Sequence, residues 1–106
     1  MKTKNTVLVV GSVALDSVET PFGKVTEALG GSACYFSVAC AFFAPVRMVA
    51  VVGQDFPAKY LSLLGQRNID TRGIIVKEGK TFRWKGYYNH DLNTAHTLDT
   101  QLNVFK

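Results

Sequence analysis

The chain has 106 residues, of which 47% are hydrophobic and 19% are charged, a composition typical of a globular domain and not of a disordered segment. Its net charge of +4 permits an anionic partner without requiring one, because the basic residues are mostly scattered. No apolar run is long enough for a bilayer span or a signal-peptide core, so we expect one cytoplasmic domain without a membrane partner.

The first half of the chain has the pattern of a strand, a helix and a second strand. Residues 6–10 and 46–52 are apolar runs of the kind found in strands that are buried on both faces of a sheet. Between them, the apolar segment 32–43 is long enough for three helical turns, with Ser32 as its predicted N-cap and Pro45 as its stop. This order predicts a βαβ unit within an α/β core.

A second helix and a third core strand follow. Pro57 suits the first turn of a helix over 57–67, and Ile74-Ile75-Val76 has the composition of a core strand. The segments 17–29 and 80–104 alternate roughly with period two, which predicts exposed antiparallel strands. We expect these strands to form a small sheet, or flap, attached to the α/β core.

The alternation is clearest in residues 82–88. It predicts one face with Phe82, Trp84, Gly86 and Tyr88 and an opposite face with Arg83, Lys85 and Tyr87. Arg83 and Tyr88 are candidate contacts of a flap that closes over a substrate. The alternative for Arg83 and Lys85 is a solvated edge strand, where charges discourage pairing with other chains.

Two short features predict a binding site. Gly30-Gly31 precedes the predicted helix, and glycines there let backbone N–H groups approach a ligand without obstruction by a Cβ atom. Asp16 lies beyond the first strand, and its carboxylate can accept hydrogen bonds from hydroxyl groups. Both features also have structural alternatives, which are a turn residue at a strand end for Asp16 and a tight strand-to-helix turn for the two glycines.

Other notable residues are assigned structural roles. The aromatic residues of segment 32–43 are expected in the core because this helix is apolar all round; they are Tyr35, Phe36, Phe42 and Phe43. Asp55 is predicted to cap the helix that begins near Pro57. Cys34 and Cys40 are predicted to be free buried thiols. His90 and His96 match no standard zinc spacing, so no metal site is predicted.

Three motifs occur in order along the chain: Gly11-Ser12-Val13-Ala14-Leu15-Asp16, Gly30-Gly31-Ser32-Ala33 and Val52-Gly53-Gln54-Asp55. Together they resemble the N-terminal part of the ribokinase-like (PfkB-type) carbohydrate and nucleoside kinases, and the resemblance covers essentially all of the chain. It implies the N-terminal portion of a Rossmann-like, three-layer α/β core with a β-sheet lid. The core would comprise residues 1–15 and 30–76, and the lid 16–29 and 77–104.

The resemblance also implies a function, which is ATP-dependent phosphorylation of a hydroxymethyl group on a sugar or nucleoside. Asp16 would bind substrate hydroxyls, and Gly30 and Gly31 would form the turn that lies against the sugar. Ala14 and Tyr35 stand where family members often have asparagine, which argues against ribose itself as the substrate. Many members form homodimers through the lid, so a homodimer is expected here.

Family members are longer than this chain. Their C-terminal half contributes a Gly-Ala-Gly-Asp-type anion hole, the catalytic base and most contacts to ATP, and this sequence has no such motif. We therefore expect a fragment that binds substrate but lacks catalysis. ATP and Mg²⁺ would serve the complete enzyme and would not bind well to this chain alone.

Two other functions are compatible with the sequence. One is a non-catalytic interaction module, or a remnant, that dimerises through its β flap. The other is a nucleic-acid binder that uses Arg83, Trp84, Lys85 and Tyr87, and it is disfavoured because basic and aromatic residues elsewhere do not converge.

Overall fold

The computed structural model describes residues 5–106, which form two β-sheets and two α-helices. The elements in chain order are β1 (Val7–Val10), β2 (Ala14–Thr20), β3 (Gly23–Gly30), α1 (Ser32–Cys40), β4 (Val46–Gly53), α2 (Ala58–Gly65), β5 (Ile69–Lys77), β6 (Phe82–Tyr88), β7 (Ala95–Gln101) and a 3₁₀ turn (Asn103–Phe105). Three strands form one sheet in the order β1-β4-β5, and four form another in the order β3-β2-β6-β7. We name them the core sheet and the lid sheet.

The core sheet is the predicted βαβ unit, extended by a second helix and a third strand. Its strands are parallel, and both helices pack on the same face, as right-handed crossovers between successive neighbouring strands require. The side chains between sheet and helices are buried; they include Val9, Met48, Val52, Leu64 and Ile69. The predicted α/β class is confirmed. Neither helix in residues 5–106 has the length and apolar character needed to cross a membrane.

The second face of the core sheet is uncovered within residues 5–106. Leu8, Val10 and Ile75 are 63%, 71% and 60% exposed, respectively. They alternate along their strands with residues that face the helices, as the period-two geometry of a strand requires. Each apolar strand therefore has one face buried against the helices and one apolar face that is exposed. Two layers of the predicted three-layer core, the sheet and one helical layer, lie in this part of the chain.

The lid sheet combines two hairpin-like pairs around one parallel seam. β2 pairs with β3 and β6 pairs with β7 in antiparallel fashion, whereas β2 and β6 are parallel. The prediction of a purely antiparallel flap is thus wrong at the β2–β6 seam, because both strands leave the core in the same direction. β6 lies inside the sheet, so the edge-strand explanation for Arg83 and Lys85 is also wrong.

The start of α1 is fixed by a residue from the loop after β1. Gly31 is the N-cap and Ser32 is the first helical residue, so the predicted capping role of Ser32 is wrong. The hydroxyl of Ser12 accepts a hydrogen bond from the Ser32 N–H at 3.0 Å, and the Ser12 carbonyl accepts one from Ala33 N–H at 3.0 Å. These bonds satisfy N–H groups that a helix start leaves without an internal partner.

The aromatic residues of α1 and the turn after it do not enter the core. Tyr35, Phe36, Phe42 and Phe43 are 64%, 56%, 77% and 91% exposed, so their predicted burial is wrong for this part of the chain. The buried residues of α1 are small, namely Ala33, Cys34 and Ser37. Small side chains bring the helix close to the sheet and leave the large ones on its outer surface. Cys34 is buried as predicted, Cys40 is only partly buried, and both are free.

Gly31 offers a direct test of this packing. Its φ is 94°, which L side chains rarely adopt, and a Cβ atom would lie 2.4 Å from the Ser12 carbonyl oxygen. We expect Gly31→Ala to lower the free energy of unfolding by at least about 1–2 kcal/mol, the usual cost of a left-handed conformation for a side chain. Chemical denaturation measures this change. Gly65→Ala is the matched control, because a Cβ at Gly65 has no neighbour within 4 Å and its φ is ordinary.

Candidate functional site

Asp16 and Gly30 meet at the base of the lid sheet. The Asp16 carboxylate occupies the space above Gly30, where a Cβ atom would lie only 2.0 Å from Oδ2. The hydroxyl of Tyr35, in the first turn of α1, donates a hydrogen bond to the same oxygen at 3.3 Å. The glycine therefore has a specific role, which is to leave room for the carboxylate beside the start of the helix.

Gly31, the residue after Gly30, forms the turn between β3 and α1 beside the Asp16 carboxylate. Its left-handed backbone turns β3 into α1 while lying directly against Ser12 and Val13. The two glycines are thus a tight strand-to-helix turn, as the structural alternative holds, and they also bring Asp16 to the head of the helix. Asp16 lies inside β2 and pairs with Ala28 and Trp84 on the neighbouring strands, so the explanation of Asp16 as a turn residue is wrong.

The electrostatic environment of Asp16 disfavours its negative charge. Partial burial raises the pKa of this carboxyl above its usual value, and the hydrogen bond from Tyr35 offsets only part of that rise. Burial raises the pKa of the Tyr35 phenol, and the nearby negative charge of Asp16 raises it further. Burial and the same charge raise the pKa of the Cys34 thiol to about 12, so this thiol stays protonated. A hydroxyl-bearing ligand that donates hydrogen bonds to Asp16 would stabilise the ionised carboxylate.

The two candidate lid contacts lie on opposite faces of β6. Tyr88 shares a face with Trp84, the residue that pairs with Asp16, and its proximity to Tyr35 contributes to the raised pKa of that phenol. Arg83 lies on the other face. Its guanidinium forms ion pairs with Glu27 of β3 and, at 2.7 Å, with Asp55 of the loop after β4. Tyr88 thus stands on the Asp16 side of the lid sheet, and Arg83 joins the lid sheet to the core.

Asp55 is the centre of this second cluster and does not cap α2. The N-cap of α2 is Pro57, without a side-chain hydrogen bond, so the predicted capping role is wrong. One Asp55 oxygen accepts hydrogen bonds from the backbone N–H and the hydroxyl of Thr81, both at 2.8 Å. The buried Thr81 hydroxyl in turn accepts a bond from Gly53 N–H at 3.0 Å. The Val52–Asp55 motif therefore fastens the segment that leads into β6.

The pKa of Asp55 reflects these contacts. Burial acts to raise the pKa, but the hydrogen bonds from Thr81 and the guanidinium of Arg83 together bring it below the usual value. The folded protein thus favours an ionised Asp55, in contrast to Asp16. The two carboxylates of the core–lid junction have opposite environments, because Asp55 accepts bonds from Thr81 and Arg83, whereas Asp16 accepts one from the Tyr35 hydroxyl.

Two residues near Asp16 escape prediction from sequence. Tyr35 is assigned to the core because its helix is apolar all round, yet its hydroxyl bonds to Asp16. Trp84 is expected only on a half-buried face, yet it is the register partner of Asp16. The usable signal was the alternation in residues 82–88, which does put Trp84 and Tyr88 on one face.

Across residues 5–106, no group of three or more His, Cys, Asp or Glu side chains is arranged to hold a metal ion. The sequence has no Walker-type or Gly-x-Gly-x-x-Gly phosphate loop. The Asp16 carboxylate offers acceptor oxygens to a molecule that donates hydrogen bonds.

The fold is ribokinase-like. The structure superposes with a TM-score of 0.78 on ribokinase from Cryptococcus neoformans var. grubii in complex with ADP, at 22% identity over 96% of this chain. It superposes with a TM-score of 0.75 on the nucleoside kinase of Burkholderia thailandensis in complex with inosine, at 17% identity over 93% of this chain. The predicted resemblance to the ribokinase-like, PfkB-type kinases is therefore confirmed, as is the predicted fold.

A sequence relative points to the same class of protein. The chain is 31% identical over 85 residues, or 79% of its length, to a cytidine kinase of Thermococcus kodakarensis. No protein-family model matches the chain. The chain spans 30% of that cytidine kinase and 35% of each of the two solved structures, so it corresponds to about a third of these proteins.

The raised pKa of Asp16 predicts that this carboxylate reduces stability at neutral pH. A raised folded-state pKa means that stability falls as the pH rises from the unfolded-state value of about 3.9 through the folded-state pKa. We expect Asp16→Asn to melt at the same temperature as the parent chain, or higher, at pH 7. This difference should vanish below about pH 4. A lower melting temperature for the variant at pH 7 would instead give Asp16 a structural role.

The effect of Asp55 on stability at neutral pH is expected to be opposite to that of Asp16, because its pKa is lowered and not raised. Asp55→Ala removes the acceptor of the Thr81 N–H and hydroxyl and one of the two carboxylates that pair with Arg83, and we expect a loss of about 1.5–3 kcal/mol in the free energy of unfolding at pH 7. Because the pKa of Asp55 is lowered, its contribution is present above the unfolded-state pKa and disappears as the pH falls through the folded-state pKa. Denaturation at several pH values measures this. Asp99→Ala, on exposed β7, is the control; an equal loss there would contradict the assignment.

Proposed function

We propose that the chain is the acceptor-binding and lid portion of an ATP-dependent kinase that phosphorylates a hydroxymethyl group of a sugar or nucleoside. In this proposal the chain belongs to the ribokinase-like kinases and binds the acceptor through Asp16, Gly30 and Gly31. The ATP site, the bound Mg²⁺ and the catalytic base belong to a part of the enzyme outside these 106 residues. The chain alone therefore binds the acceptor without transferring phosphate.

The observation that supports this function best is the position and environment of the Asp16 carboxylate. It lies over a glycine at the junction of lid and core, with one phenol as its hydrogen-bond donor and an environment that raises its pKa. A carboxylate of this kind gains most from a ligand that donates further hydrogen bonds. Neighbouring sugar hydroxyls are such donors, and binding by them positions the acceptor for phosphoryl transfer, which depends largely on positioning and on charge stabilisation.

The similar proteins support both acceptor classes. They are named as a ribokinase, a cytidine kinase and a nucleoside kinase with bound inosine. These three names refer to a pentose or to nucleosides, which contain a pentose. The proposed acceptor therefore presents vicinal hydroxyls to Asp16.

A homodimer through the lid sheet is also part of the proposal. Phe22, Val25 and Leu98 of the lid are 80%, 55% and 55% exposed, and exposed apolar groups of this size favour association. The open face of the core sheet adds Leu8 and Val10. We expect this chain to sediment as a dimer or larger species, and a clean monomer with cooperative melting would contradict this.

Ligand binding tests the proposed function directly. We expect ribose, fructose, cytidine or inosine to raise the melting temperature of the chain, since a ligand that binds only the folded state stabilises it. Asp16→Asn should weaken that binding by about 10- to 100-fold, which is the loss of one or two charge-assisted hydrogen bonds. Asp99→Asn is the matched control because it is exposed on β7. A stable dimer whose melting no sugar or nucleoside shifts would favour the interaction module.

A further inference from the structure

Strand β3 contains a β-bulge beside the residue that pairs with Asp16. Val18 pairs with Val25 and Asp16 pairs with Ala28, so one residue of β2 lies opposite two residues of β3. The second of these two is Glu27, whose φ of 52° lies in the left-handed region. A bulge of this kind changes the direction of the side chains that follow it in the strand.

The bulge determines which residue of β3 lies beside the Asp16 carboxylate. If the pairing near the hairpin turn continued without it, Asp16 would face Glu27 and Ala14 would face Leu29. Two acids would then lie directly opposite each other, and like charges in such a pair repel. In the observed register Ala14 faces Gly30, which has no side chain where the carboxylate lies. A change of one residue in register would therefore remove the space that Asp16 occupies.

Three groups outside β3 hold Glu27 in this conformation. Its N–H donates a hydrogen bond to the Ser17 hydroxyl at 3.0 Å, and its carbonyl accepts one from the Tyr60 hydroxyl of α2 at 2.8 Å. Its carboxylate binds the Arg83 guanidinium on the face of the lid sheet opposite Asp16. A backbone conformation that is costly for a side chain persists only where the surrounding contacts maintain it. Here β2, the core helix α2 and β6 each supply one.

We propose that Glu27 is a positioning residue for the acceptor-binding carboxylate. Its bulge keeps Ala28 and Gly30 in the register that leaves space for Asp16, and the bond from Tyr60 joins the bulge to the core. This inference rests on the proposed function, to which it adds a residue that does not itself contact the acceptor. Glu27 acts through the register of β3, so its backbone conformation matters more than its charge.

Substitutions of Glu27 separate conformation from charge. Glu27→Gly and Glu27→Val both remove the carboxylate, but glycine adopts a positive φ freely and a β-branched side chain does not. Calorimetry on the 106-residue chain measures affinity for ribose and for cytidine. We expect Glu27→Gly to retain most of the parent affinity. Glu27→Val should approach the loss of about 10- to 100-fold that is expected for Asp16→Asn.

Nuclear magnetic resonance reports the register without any ligand. Facing residues of an antiparallel pair have Cα atoms about 4.5–5.5 Å apart, so contacts between their protons identify the pairs. We expect Ala14 to contact Gly30 in the parent chain and in Glu27→Gly. In Glu27→Val this contact should be lost, and contacts between Ala14 and Leu29 should replace it.

Asn68→Val is the matched control for backbone strain. Asn68 also has a positive φ, of 64°, and lies in the turn between α2 and β5. Valine is strained there in the same way, so we expect the melting temperature to fall while acceptor affinity and the Ala14–Gly30 contact stay unchanged. An equal loss of affinity in Asn68→Val and Glu27→Val would assign the effect to lowered stability and overturn the inference.

The combined readouts decide the role of Glu27. Loss of affinity together with loss of the Ala14–Gly30 contact in Glu27→Val supports the inference. If Glu27→Val melts cooperatively and keeps either the contact or the affinity, the inference is overturned, while the proposed function still stands on the Asp16→Asn result. Equal losses in Glu27→Gly and Glu27→Val also overturn it, because the missing carboxylate would then explain both.

Two further outcomes are decisive. Should Glu27→Val fail to fold, Tyr60→Phe removes only the hydroxyl that binds the Glu27 carbonyl, and an unchanged affinity with an unchanged Ala14–Gly30 contact there overturns the inference. Failure of the parent chain to bind any sugar or nucleoside contradicts the proposed function. The proton contacts of Ala14 in Glu27→Val then decide on their own whether Glu27 positions Asp16.

Discussion

The close approach of Ser12 and Gly31 determines how the rest of the molecule is arranged. The chain leaves the core at Ser12, forms the β2–β3 hairpin and returns at Gly31, so the lid is inserted between β1 and the helix that follows it. Ser12 accepts hydrogen bonds from the first residues of α1, and Gly31 adopts a conformation that lets the two segments touch. Because the insertion starts and ends at one point, α1 can still cross over the core sheet as an uninterrupted βαβ unit would.

A second attachment makes the lid sheet a fixed part of the structure. The loop after β4 holds the segment that enters β6 through Asp55, Thr81 and Arg83, and Arg83 also reaches Glu27 on β3. This polar cluster lies on the face of the lid opposite Asp16. On the face with Asp16 and Trp84, the Asp16 carboxylate accepts one bond from Tyr35 and the indole donates one to Thr97. The division follows from the alternation of side chains along β2 and β6.

The sequence predicts the elements better than their surroundings. Apolar runs and turn residues locate β1, β4, α1 and α2, because these signals depend on a few adjacent residues. The exposure of Phe42 and Phe43 was not predictable, since a strongly apolar helix gives no sign of which side is covered. The same limit applies to Asp55, whose partner Thr81 is distant in sequence. Asp16, Gly30 and Gly31 were identifiable because a glycine pair and a lone acid are uncommon beside apolar runs, and the structure brings them into contact.

The parallel seam between β2 and β6 has a consequence for the order of folding. Ala14 pairs with Phe82, so in sequence the two strands of this seam flank every core element except β1. Closing such a long loop is entropically costly until the intervening chain is compact, and topologies dominated by distant pairings fold slowly. The β1-α1-β4-α2-β5 segment therefore has to become compact before the seam forms. The surface around Asp16 and Trp84 is then among the last parts of the molecule to form, although Asp16 and Gly30 are close in sequence.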